Sequence, residues 1–184
     1  MNHFKTFGSL ALAAASLIAF SSYASAAVLT SPSGTEYTGE IRATLSTPNS
    51  ALIKAGIEAT CGESTVSGIL ASNGSSSAGA SGGSLSFGDC TKTVSVLGGG
   101  SVSIATGGAV TAIGGEVTIF DLGVSCVYGG GTFGTKIGTL KGGTPAVLEA
   151  SAGLPKVSGG FLCASTGTFT GKYTVTTPFT LLVD

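Results

Sequence analysis

From Tyr37 to the end of the chain, apolar residues recur at every second position in short runs. No stretch of about ten residues keeps the three-and-four spacing of a helix. Ile41, Ala43 and Leu45 share one face of the first run, and Ile53, Ala55, Ile57, Ala59 and Cys61 share one face of the second. Leu85 with Phe87, Val94 with Val96, Val102 with Ile104, and Val117 with Ile119 mark further short strands, and Leu122, Val124, Cys126 and Tyr128 alternate inward. Phe133 to Leu140 and then Phe169, Tyr173 and Val175 continue the pattern. Gly98-Gly99-Gly100, Gly107-Gly108 and Gly114-Gly115 punctuate it. Turn signals at roughly eight-residue spacing predict an all-β fold, a single antiparallel β-sandwich or open barrel.

The first 26 residues read differently. Lys5 supplies a positive start, Leu10 to Phe20 is an apolar run shorter than the ~20 residues that span a bilayer, and Ala24-Ser25-Ala26 has the form of a signal-peptidase site. Residues 1–26 are therefore expected to be a helical signal peptide that leaves no transmembrane anchor. The chain is expected to be exported to the periplasm, cell surface or medium. Residues 27–36, with Ser31-Pro32-Ser33-Gly34, read as a flexible leader, and 37–184 as the β-domain. Asn73 to Gly83, almost purely Gly, Ser and Ala, reads as a flexible loop.

Four cysteines in an exported chain are most simply two disulfides. Of the three possible pairings, Cys61–Cys90 and Cys126–Cys163 are favoured because each pair flanks a similar local pattern. Each closed loop contributes about 3–4 kcal/mol in the chain-entropy picture.

Composition excludes several chemistries. The only histidine is His3 and tryptophan is absent, so the chain beyond residue 26 has no imidazole for a Ser-His-Asp or Cys-His arrangement. The acids fall in no calcium-loop spacing, and without histidine or Cys-x-x-Cys no zinc site is expected. No cofactor and no catalysis are expected. Charged residues make up only 9% of the chain, against about 25% in an ordinary domain, and no basic patch offers itself to nucleic acid. Gly129 to Gly134 fits Gly-x-Gly-x-x-Gly, but alternation and not a helix follows it, so it reads as a hairpin turn. Asp89 and Asp121 read as turn caps in preference to a buried polar pair, and Tyr128 and Tyr173 as core. The nearly uncharged C-terminal segment, with Val175, Phe179, Leu181 and Val183, could serve as an edge strand open to another chain, or could simply close the sheet.

Three blocks carry a resemblance: Thr60-Cys61-Gly62-Glu63-Ser64-Thr65-Val66-Ser67-Gly68, Phe87-Gly88-Asp89-Cys90, and Tyr173-Thr174-Val175-Thr176-Thr177-Pro178. Over roughly Ile57 to Val183 the chain resembles a group of small exported bacterial β-proteins, some of them called protein activator of alkane oxidation. That family's tryptophan-containing strand has no counterpart here. The resemblance implies a secreted or surface-associated protein linked to biofilm matrix. The leading expectation is a non-catalytic structural or adhesive component of the cell surface, whose partners are other protein chains or matrix components. A binding module with an apolar pocket for a lipid or hydrocarbon is the alternative, and a fimbrial-type subunit a third.

Overall fold

The computed structural model describes residues 27–48, 50–98, 100–129 and 135–184. The expected signal peptide and most of the Gly129–Gly134 turn lie outside the described residues. Within them the chain is β throughout, apart from one 3-10 turn at Thr106–Gly108.

Six ladders of paired strands make one long layer. Strand β4 (Ile57–Asn73) pairs with β5 (Ser77–Cys90) on one side. On its other side lie two short strands laid end to end, β2 (Gly39–Leu45) and β3 (Ala51–Ala55). Both also pair with β13 (Thr166–Thr177), which pairs in turn with β12 (Val147–Gly159). The order across the layer is therefore β5, β4, β2 with β3, β13, β12, antiparallel throughout.

Two smaller sheets face this layer. At one end β7 (Ser101–Ala105), β8 (Ala109–Ile113) and β11 (Thr135–Lys141) bridge from β5 to β12, closing a ring of strands. At the other end β10 (Val124–Gly129) pairs with β12, β9 (Glu116–Asp121) pairs with β10, and β6 (Thr93–Leu97) pairs with β9. No ladder joins β6 back to β5, so this second lobe stays open on one side. The result is the expected antiparallel all-β architecture, with Cys61 bonded to Cys90 and Cys126 to Cys163.

Each lobe has its own core. Ala43, Leu70, Leu148 and Tyr173 of the long layer meet Ile104, Val110 and Leu140 in the first. Ile53, Ala55 and Ala59 meet Val117, Ile119 and Tyr128 in the second. Phe169 packs against both and sets its ring edge-on to Phe87, 6.0 Å between centroids. Period-two alternation supplies both cores on β12 and β13, whereas on β4 the inward set changes phase between the lobes, Ala59 giving way to Val66 and Leu70.

Three expectations need correction. Residues 27–36 are not a loose leader. Ala27 to Thr30 are buried, β1 (Leu29–Thr30) pairs with β14 (Leu182–Val183), and only Ser31–Glu36 form an exposed turn. Asn73 to Gly83 is not a flexible loop either: β4 runs to Asn73, β5 begins at Ser77, and Ala78 is fully buried. Small side chains suit a position where sheets approach closely. A Cβ on Gly68 would sit 3.4 Å from that of Ala80. Finally, the alternating run Leu52–Cys61 is two strands. The chain reverses at Gly56, whose φ of +82° and backbone neighbours (Leu162 O 2.6 Å from a built Cβ) admit glycine alone. Alternation survives the reversal because Ala55 and Ile57 pair across it.

Candidate functional site: the open end of the second lobe

The two most exposed large apolar side chains among the described residues, Phe161 and Leu122, lie at the second lobe, as does the bare edge of β6. Its far end carries four connections: the reversal at Gly56, the β5–β6 corner at Thr91–Lys92, the β9–β10 turn at Leu122–Gly123, and the β12–β13 loop at Gly160–Ser165.

The β9–β10 turn has two residues, Asp121 pairing with Val124 across it, and both turn residues have positive φ, Leu122 at +47° and Gly123 at +83°. This is the primed hairpin geometry that normally selects Asn-Gly. A leucine there is a local conflict, and its side chain gains nothing by it, being 94% exposed. Sequence alternation had placed Leu122 inward with Val124. The turn ends the alternation one residue earlier, so Leu122 points to solvent.

The neighbouring loop presents Phe161, 95% exposed, and half-exposed Leu162. It is held firmly. Cys163 is bonded to Cys126 of β10, its N–H donates to Gly160 O at 3.1 Å, and Lys156 Nζ donates to Cys163 O at 3.3 Å. From inside, the buried Tyr128 hydroxyl donates to Ala55 O at 2.6 Å and is shared with Ala164 O at 3.0 Å. Burial pushes that phenol's pKa up. Phe120 pairs with Ser125 and Cys126 pairs with Gly159, so the two apolar turns stand side by side.

Next to them a cleft of about 530 Å³ lies between the β5–β6 corner and the β9–β10 turn, lined by Phe87, Asp89, Lys92, Val94, Phe120 and Leu122. Asp89 and Asp121 are not a buried polar pair: Asp89 is exposed, and Asp121 bonds Lys92 Nζ at 2.8 Å. Asp89 sits at φ +49°, a region aspartate tolerates better than most residues. The corner itself is pinned by Thr91, whose N–H donates to Thr60 O at 2.8 Å and whose Oγ1 accepts from Thr60 N at 3.0 Å. Among the described residues no group of three or more histidine, cysteine or acidic side chains could hold a metal.

Of the two readings of the C-terminal segment, an open edge or the closing of the sheet, the second holds. Val175 and Leu181 are buried in the first core, Val183 pairs with Leu29, and Leu181 exchanges hydrogen bonds with Gly143. Only Phe179 projects. The segment closes the first lobe and offers no edge, because buried Val28 and Leu29 supply its partner strand. The edge sequence reasoning missed is β6, whose only visible signal was a short uncharged Thr-Val-Ser-Val-Leu run.

An apolar cavity does exist inside the first lobe, between Ile41, Val66, Val102, Val110, Leu140 and Val175, but its volume is about 70 Å³. Ligand pockets for small molecules run to about 300–1,000 Å³, so this space is far short of a lipid or hydrocarbon chain. Comparison with family models, curated proteins and solved structures finds no match for the chain.

Proposed function

We propose that the chain is a non-catalytic protein of the outer cell surface or biofilm matrix, exported by its first 26 residues, that attaches through the apolar turns at the end of its second lobe. The observation that carries this reading is Leu122: a leucine kept fully in solvent in a backbone conformation costing about 1 kcal/mol or more, beside an equally exposed Phe161 on a disulfide-stapled loop. A local rule broken with no packing gain points to a contact with something outside the chain. Two disulfides belong to an oxidising compartment, which suits export. The low charge and the resemblance to surface-associated β-proteins support the same reading.

The test is fractionation followed by substitution. Antibody should label intact cells or matrix, and Leu122→Asn with Phe161→Ser should lower retention there at least tenfold while leaving the urea midpoint no lower. Protein found solely in the periplasm, or retention unaffected by both substitutions, defeats the proposal.

A further inference from the structure

We infer that the bare edge of β6 pairs with the same edge of a second copy of this chain, antiparallel and centred on Ser95. This rests on the structural-component reading above and specifies how copies join.

Three observations lead there. First, among the described residues β6 pairs with β9 alone, and Ser84–Cys90 of β5 pair with β4 alone, so both edges on the open side of the second lobe carry unpaired backbone groups. An edge of that kind is a template for another strand. Second, the edge is unguarded. Natural edges are blunted by lysine, proline or a bulge, whereas Thr93–Leu97 contains none of these and runs in unbroken register with β9. Lys92, the nearest cation, is already tied to Asp121. Third, the inward residues beside the opening, Leu85, Phe87, Val94 and Val96, are only partly buried, so the core of this lobe is left uncovered along the same line.

A second copy fits this edge better than a charged partner, since nothing along it is charged and an identical edge is self-complementary about a two-fold axis. Centred on Ser95, the pairing sets Val94 opposite Val96 of the other copy, both on the core side. Thr93 meets Leu97, and Ser95 meets its own counterpart. Leu97, half exposed in the single chain, is then covered. The back sheets of two molecules become one sheet of six strands. With five residues a side, the contact is small and the association should be reversible, in the micromolar range.

Sedimentation equilibrium on the full disulfide-bonded chain tests this. Wild type should show a concentration-dependent dimer. Ser95 is exposed, so Ser95→Lys and Ser95→Asp should each fold, as circular dichroism and urea midpoints check. Each alone sets like charges opposite each other and should weaken the dimer at least tenfold, and an equimolar mixture of the two should restore it. A wild type that stays monomeric up to millimolar concentration overturns the inference, as does a mixture that fails to associate. Neither result bears on surface retention, so a failure of the attachment reading and a failure of this pairing are seen in different experiments.

Discussion

The side-chain amide of Asn73 holds Leu29 by both of its backbone groups: Oδ1 accepts from Leu29 N at 3.1 Å, and Nδ2 donates to Leu29 O at 2.6 Å. The same Nδ2 donates to Tyr37 O at 3.0 Å. A side chain at the end of β4 thus acts as one more strand residue for β1, and it ties the first described residues into the core with Val28, Leu29 and Leu181.

Asn73→Asp keeps the acceptor and removes both donated bonds. It should cost about 1–3 kcal/mol, because Tyr37 O loses the Asn73 donor and Leu29 O is left with the N–H of Tyr37 in a partly buried site. The urea midpoint measures the loss, and an unchanged midpoint would show that β14 alone secures the segment.

At the junction of the two lobes, Tyr173 reaches over Leu45 to donate to Ser64 Oγ at 3.0 Å, and Ser64 donates onward to Ser86 O at 2.9 Å. Both side chains are buried. Ser64→Ala strands the buried phenol and should cost about 1–3 kcal/mol, whereas Tyr173→Phe leaves Ser64 its bond to Ser86 and should cost about 1 kcal/mol. Chemical denaturation of both variants and the double variant checks the order. Equal costs would mean the phenol finds another partner.

Two glycines with similar φ separate backbone strain from crowding. Gly34 has φ +76° with open space around it, while Gly56 has φ +82° and two backbone atoms within 3 Å of a built Cβ. Gly34→Ala should cost about 1 kcal/mol and Gly56→Ala about 2–4 kcal/mol, the difference being the clash with the Phe161-bearing loop. Thermal or urea unfolding compares them directly.

Stability should fall at high pH. Burial raises the pKa of Tyr173, partly opposed by its bond to Ser64, and burial likewise raises Tyr128. In the unfolded chain these phenols ionise near 10, so between that pH and their higher folded values the native state holds more protons than the unfolded one. Stability is then full below about pH 10 and declines as pH rises further. The urea midpoint should drop between pH 9 and about 11, and Tyr173→Phe should flatten the decline. A slope identical in that variant would show that Tyr173 does not carry the loss.

The class of fold, the two disulfides and the inward tyrosines could be read from the chain, since period-two alternation is a local consequence of strand geometry and one cysteine of each pair, Cys61 and Cys126, lies in such a run. Alternation carries no information on where a strand reverses or which neighbour it meets. That is why Gly56 was invisible inside an unbroken pattern, and why Leu122 read as core when two positive φ values turn it outward. The C-terminal residues and β6 have the same uncharged β-prone character in sequence. Only tertiary pairing decides that Leu29 covers the former and leaves the latter bare, because an edge is defined by the absence of a neighbour that lies far away along the chain.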